Sequence, residues 1–403
     1  LSTLKTASLQ HPDASSNTIH LSASGNVGIG TNSPTAKLDL GGNNVAGISS
    51  INSGQVSGRR NLIINGDMQI AQRNSSVAGI SSSSTYQVVD RMFIRNSGAG
   101  TFTNSHSTDN PGYGLKRSIK FECTTADSSL AADDFAYMGY KMEGFDAVKL
   151  LKGETGAGYA TLSFWVKSSE TGTAVVRFVD IPNNRSQGHA YTINAADTWE
   201  KKTITISMVD GSNKVNYDNT SQFVLVFWLA VSTNRTSGTL QSSWTNNLTA
   251  DEAVSQTVNI VNTTSSYINF TGLQFEVGDT ATSFEHISYG EQLALCQRYY
   301  EKSYNDTVVP GSVDVSGWSG GDKPSGTAGR FRIEFKTTKR GNPTVTTYHH
   351  VTGTSGQMYT STNGSVSTAI SGVGMNRVQI AMNGGALSGN AEVGCQWTAD
   401  SEI

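Results

Sequence analysis

The sequence predicts an all-β protein, on three observations. Apolar residues recur with a period of two, polar turns rich in Gly, Ser and Asn separate those runs, and one short segment alone carries a helical pattern. Tyr159 to Lys167 shows the alternation best, with Ala160, Leu162, Phe164 and Val166 interleaved with Thr161, Ser163 and Trp165. Successive strand side chains point to opposite faces of a sheet, which gives this period. Phe223 to Val231 is apolar at every position, so it reads as a strand buried on both faces, and its aromatic and β-branched content favours strand over helix. Leu115 to Cys123, Thr173 to Asp180, Trp199 to Ser207 and Leu273 to Val277 complete a set sufficient for a two-sheet sandwich.

A chain of 403 residues exceeds one domain at roughly 150 residues each. Residues 1–60 alternate short β-like runs, Thr18 to Leu21 and Asn26 to Gly30, with Gly, Asn and Ser. So few apolar side chains cannot form an independent core, and burial is expected from other copies or from a larger structure. Gly41 to Arg60 reads as a linker. The sandwich occupies 61–290. In Glu291 to Glu301, Leu293, Cys296 and Tyr300 fall near one helical face with no Gly or Pro between them, which predicts a short helical joint over 291–302. Beyond it Phe331, Ile333 and Phe335 alternate with Arg332, Glu334 and Lys336. With the runs Thr344 to Val351, Arg377 to Met382 and Glu392 to Trp397, they predict a smaller β domain over 303–403.

Composition narrows the functions. Charged residues make up 15% against the ~25% usual for soluble domains, so the surface relies on neutral hydrogen-bonding groups. A net charge of -3 supplies no basic stripe for nucleic acid. Cys123, Cys296 and Cys395 are odd in number and far apart, and read as small buried residues rather than a disulfide framework or zinc site. The longest apolar run, Phe223 to Val231, falls short of the ~18 residues of a spanning helix, and the N-terminus has no charged-then-apolar signal, so neither membrane insertion nor a secretion leader is expected. Leu1 in place of Met suggests a non-standard start codon or a trimmed end.

Several segments together resemble tail fibre and virion appendage proteins of tailed bacteriophages, particularly phages of cyanobacteria and other marine bacteria. Gly25-Asn26-Val27-Gly28-Ile29-Gly30-Thr31-Asn32-Ser33-Pro34 is similar to a segment common in phage fibre shafts. Asn61-Leu62-Ile63-Ile64-Asn65-Gly66-Asp67-Met68, then Ala71-Gln72-Arg73 and Asp90-Arg91, resembles the opening of the carbohydrate-binding-module-like jelly roll in these proteins. Gln274-Phe275-Glu276-Val277-Gly278, Ala281-Thr282, Phe284-Glu285 and Cys296-Gln297-Arg298-Tyr299-Tyr300 resemble its closing strand and following helix. The position after Asp90-Arg91, commonly Trp in relatives, is Met92, so no role of that indole carries over. The resemblance implies a structural, non-enzymatic virion protein that attaches to a host cell-surface glycan. It implies a homotrimer joined to other virion proteins through its N-terminal arm. A capsid-bound head fibre or decoration protein is the alternative, and an envelope polysaccharide depolymerase a third reading.

Site candidates follow from aromatic placement, because sugar rings stack on exposed aromatic faces ringed by amides and hydroxyls. Trp165, Trp199 and Trp228 lie within strand patterns and read as core. Trp244 and Trp318 sit in polar loops and are the ligand-binding candidates. No catalytic residue is assigned, since a glycosidase needs two carboxylates held about 5 to 10 Å apart, and neither Asp133-Asp134 nor Glu143 with Asp146 establishes that separation. His349-His350 does not read as a metal site, because neighbours on a strand face opposite ways. Asp210-Gly211-Ser212-Asn213 with Asp218 lacks the oxygen spacing of a dedicated calcium loop. No cofactor is identified, and the resemblance leaves room for a structural calcium ion.

Overall fold

Short strands Ser8–Leu9, Ile19–Leu21, Val27–Ile29 and Leu38–Asp39 form a four-stranded sheet at the N-terminal end of the chain. The computed structural model describes residues 7–9, 19–35, 37–39, 50–51, 54–55, 58–327, 329–383 and 387–403. One unit lies within Leu1–Ile51 and the other spans Asn52–Ile403. In the first, Leu9, Leu21, Ile29 and Leu38 are all exposed, the outcome expected of a segment too poor in apolar residues to close a core. Ile19 pairs with Ile29 and His20 with Gly28. A Cβ at Gly28 would lie 2.3 Å from the Thr31 carbonyl oxygen, so the tight turn of the Gly25 to Pro34 run excludes a side chain there. The linker expected over Gly41 to Arg60 falls largely outside the described residues.

The all-β expectation holds in the second unit. Its larger sheet runs Glu200–Ser207, Tyr159–Ser168, Tyr267–Val277, Ser118–Thr125, Met92–Ser107, Phe135–Glu143, Ser221–Val231, Gly172–Asp180, Arg185–Ile193 and Thr245–Asn246, with Ser76–Tyr86 paired beside Met92–Ser107. Met92–Ser107 turns the corner between two halves: Met92 to Ser97 pair with Phe135–Glu143, and Thr101 to Ser107 with Ser118–Thr125. Gly98 and Gly100 take φ of 78° and 59° at the bend, and a Cβ at Gly100 would lie 2.8 Å from the Thr125 carbonyl, so the turn requires glycine. Phe164 meets Phe227 at 5.3 Å and Phe223 meets Phe275 at 5.7 Å, joining the two halves through one aromatic core. Strand Ser221–Val231 is buried on both faces, as its unbroken apolar run implies.

The segments that carry the phage resemblance meet in space and hold the sandwich closed. Asn61 donates its amide to the Leu273 carbonyl (2.9 Å) and accepts from the Phe275 N–H (3.1 Å), while the Glu285 carboxylate accepts from the Asn61 N–H (2.8 Å). Asn65 donates to the Asp90 carbonyl (3.0 Å), and the Asp90 carboxylate accepts from Gln72 and Arg73. Arg91 lies 3.5 Å from the Tyr299 ring centroid and Arg73 3.8 Å from that of Tyr300. Both arginines also pair with Glu402. These motif residues are therefore structural ties, and the buried charges of Arg73, Asp90 and Arg91 each have a partner of opposite sign.

The helix occupies Tyr289–Gln297, capped by the Ser288 hydroxyl accepting from the Glu291 N–H, and Tyr300–Lys302 is a strand. The helix expected over 291–302 thus ends early, where Tyr300, Glu301 and Lys302 pair with Asp400, Ala399 and Thr398. Nor is it a free joint, since Cys296 and Tyr299 are buried with Ile64 and Ile70, and Arg298 forks onto Glu143 at 2.8 and 3.0 Å. The smaller eight-stranded sheet centres on Ala391–Asp400, which also pairs with Ser319–Lys323, Thr344–Tyr348 and Gln357–Thr360. Its core gathers Ile333, Phe335, Met358, Ile380, Val393, Cys395 and Trp397. All three cysteines are free and buried, in keeping with their reading as small core residues.

Candidate functional site

The outer face of strand Tyr159–Ser168 is fixed by its alternation. Ala160, Leu162, Phe164 and Val166 enter the core, so Thr161, Ser163, Trp165 and Lys167 face away from it. Trp165 is half-buried and its ring stacks on that of Tyr113 at 5.0 Å and 21°, while Tyr113 itself is 75% exposed. The expected core position of Trp165 is corrected by its phase: it alternates with the apolar set instead of belonging to it. On the neighbouring strands Trp165 is opposite Lys201 and Thr271. A register shift lies between Ser163 and Trp165, and Gly272 takes φ 61°. A Cβ at Gly272 would lie 2.9 Å from Leu115 and 3.0 Å from the Trp165 indole, so this bulge makes room for the ring. Tyr113, Trp165, Phe284, His286, Ser163 and Lys201 line a cavity of about 530 Å³ there.

A second aromatic pair continues the face. Trp199, also half-buried and not in the core as expected, donates its indole N–H to Asp109 (3.0 Å), whose other oxygen accepts from Lys167 (2.8 Å). Burial pushes the Asp109 carboxyl up, but those two hydrogen bonds and the Lys167 charge outweigh it and hold it below the usual value. Tyr267 donates its hydroxyl to Asp197 (2.5 Å), and the Lys120 ammonium lies 4.8 Å from its ring centroid. The face therefore offers flat apolar rings, fixed carboxylate and ammonium groups, and strand hydroxyls. That combination binds polyhydroxylated rings by stacking and directional hydrogen bonds.

Of the two loop tryptophans, Trp244 is placed differently from expectation. Trp244 is 6% exposed, donates its N–H to the Ser207 carbonyl (2.7 Å), and packs on Phe223 at 5.8 Å beneath the Lys152 ammonium. Its polar neighbours in sequence concealed a buried charge cluster that the indole covers, and it offers no face to a ligand. Trp318 is half-buried and stacks on His350 at 5.1 Å. The absence of side chains at Gly320 and Gly394 admits the ring, which packs its loop onto Ala391–Asp400. Trp228, 1% exposed, is core as expected and donates to the Glu252 carbonyl (3.1 Å).

The remaining candidates act as structural partners. Glu143 accepts from Arg298, Asp146 from Arg59 and Lys149, and Asp133 from Asn234. His349 and His350 lie beyond the end of Thr344–Tyr348, in a turn, so the opposite-face rule does not apply; their rings stack at 5.9 Å against Tyr359. Among the described residues no group of three or more His, Cys, Asp or Glu could hold a metal. Asp210 does not fit a calcium ion, since its carboxylate already accepts from Lys152 (2.7 Å) and Arg185 (2.6 and 3.0 Å).

No protein-family model matches the chain, and no curated protein matches it. Among solved structures it is similar to the enzymatically active domain of tailspike protein 4 of bacteriophage CBA120, with 14% identity, a TM-score of 0.28, and coverage of 54% of this chain and 21% of the tailspike chain. It is also similar to TmCBM61 in complex with beta-1,4-galactotriose, with 10% identity, a TM-score of 0.25 and coverage of 54% and 98%. A third is the CBM22-1 xylan-binding domain of Paenibacillus barcinonensis Xyn10C, with 11% identity, a TM-score of 0.22 and coverage of 52% and 99%. At these scores the likenesses carry no argument about function, which rests on the geometry of the face.

Proposed function

We propose that this chain is a glycan-binding appendage protein of a tailed bacteriophage. Its sugar site is the outer sheet face built on Trp165, Tyr113, Trp199 and Tyr267. The observation that carries the reading is the Tyr113–Trp165 stack, an aromatic platform with one ring 75% exposed, set among groups that hydrogen-bond in both directions. Binding without cleavage is favoured by Asp109, beside the stack, being held by the Trp199 N–H and the Lys167 ammonium.

The virion role is supported by the Gly25 to Pro34 run and by the opening and closing motifs that tie the sandwich. The exposed Leu9, Leu21, Ile29 and Leu38 favour an arm that completes its burial in a homotrimer and against other virion proteins. Three tethered copies raise avidity by ~10²–10⁴ without new contacts, so a weak single site suffices. Cryo-electron microscopy of the particle tests this role. Density on the tail with the sandwich facing outward accords with attachment; density following the head lattice favours the decoration reading and rules out the tail.

A further inference from the structure

The opposite half of the sandwich carries a second outer face that the proposed sugar site does not use. There strand Ser221–Val231 turns Val224, Val226 and Trp228 away from the main core to join Phe93, Phe135 and Val179. The 3-10 turns Thr233–Arg235 and Thr249–Asp251 bring Arg235 and Glu252 over it. A cavity of about 280 Å³ remains, below the roughly 300–1,000 Å³ of drug-sized ligand sites, and so suited to one ring rather than a chain.

Its charge is one-sided. Arg95, Lys141, Arg177 and Arg235 line the cavity with a single carboxylate, Glu252. Glu252 is shared, pairing with Arg177 at 2.6 Å and also with Arg235. Arg177 is buried, and burial first, then the Arg235 charge, push it down against the pull of Glu252. The Arg235 Nε is buried without a partner among the described residues, a donor whose desolvation nothing offsets. Arg95 is exposed and stands 5.3 Å from the Phe135 ring centroid with no carboxylate partner among the described residues. Lys141 donates to a backbone oxygen of Ile403 at 2.8 Å, and the Glu402 charge also acts on it.

Apolar rings flank these cations. Tyr137 is half-buried and meets Trp228 edge-on at 5.2 Å. We infer that this cavity is a second binding site, for a carboxylated sugar, whose ring packs against Tyr137 and the valine floor while its carboxylate accepts from Arg95 and faces the Arg235 guanidinium. Guanidinium groups favour planar carboxylates, and such charge-assisted bonds are about twice as strong as neutral ones. That the carboxylate is borne by a sugar rests on the glycan reading above; the preference for negative charge does not.

The test is calorimetric titration of the full chain with tri-galacturonate, tri-glucuronate and the carboxyl-reduced, neutral form of each. At least one acidic trimer should bind at least tenfold more tightly than its reduced form, and more weakly as salt rises. Arg95→Gln, at an exposed position, should weaken that binding about tenfold with the unfolding midpoint unchanged. Trp165→Ala should leave it within twofold, which separates this site from the first. Equal affinity for acidic and reduced trimers, no binding of either acid, or loss on Trp165→Ala but not on Arg95→Gln would overturn the inference, whether or not the Trp165 face binds neutral glycans.

Discussion

Replacing Lys152 with methionine should destabilise the sandwich more than any surface change of equal size. The Lys152 ammonium is fully buried and donates to Asp180 (2.5 Å), Asp210 (2.7 Å) and the Asn213 carbonyl (3.1 Å). That uses all three of its donors, and Trp244 shields the group from water at 4.4 Å. Methionine keeps the volume but leaves Asp180 with only the Asn183 amide and N–H, while Asp210 retains Arg185. Removing one partner from a buried ion pair costs about 3–5 kcal/mol, a large part of a typical stability of about 5–15 kcal/mol. The control is Lys149→Met, whose exposed pair with Asp146 at 2.7 Å is worth about 1 kcal/mol or less. Guanidinium unfolding with unchanged slope reads both. Neutralising the acids as well, in Lys152→Met/Asp180→Asn/Asp210→Asn, should recover part of the loss. If Lys152→Met stays within about 1 kcal/mol of Lys149→Met, the cluster is not buried as described and Trp244 is free for another role.

Three further outcomes follow from the same reasoning. Burial, partly countered by Arg73 and Gln72, raises the Asp90 carboxyl from 3.8 to about 6; its folded form holds the proton more tightly, so its contribution is favourable below pH 4 and is lost as pH rises towards 6. The magnitude is on the order of 3 kcal/mol, and Asp90→Asn should lack this slope when wild type and variant are unfolded across pH 4 to 6. Burial, and for His350 also the His349 charge, lower both imidazoles below 6.5, so their contribution is present above pH 6.5 and lost on acidification; His350→Phe should flatten the fall in stability between pH 6.5 and 5. Gly272→Ala should strain a φ of 61° and push on Leu115 and Trp165, lowering both stability, by about 1 kcal/mol, and affinity for any sugar bound at the Trp165 face, measured by denaturation and titration respectively.

The architecture was legible where pattern and burial coincide. Period two placed Tyr159–Ser168, the unbroken apolar run placed Ser221–Val231, and Arg377–Met382 was read to the residue. The Ser-rich strand Ser76–Tyr86 and the 16-residue Met92–Ser107 were not, because their glycines break the alternation at the corner where the sheet changes halves. The aromatic site was half legible: Trp165 shares its phase with Thr161 and Ser163, a polar phase that marks the outer face, yet its size suggested core. Tyr113 joins it from a loop whose return to the sheet no local signal announces. Trp244 misled for the converse reason, since Lys152, Asp180 and Asp210 come from distant segments and make a polar-looking neighbourhood a buried one.

The most direct measurement is a glycan array and titration comparing the wild-type chain with Trp165→Ala/Tyr113→Ala, folding being checked by circular dichroism. Removing both rings of the stack should cost on the order of 2–3 kcal/mol, or about 30- to 150-fold in affinity for the best glycan, with the β spectrum unchanged. Undiminished binding by the folded double variant, or a wild-type chain that binds no glycan, would contradict the assignment of this sheet face as a sugar site.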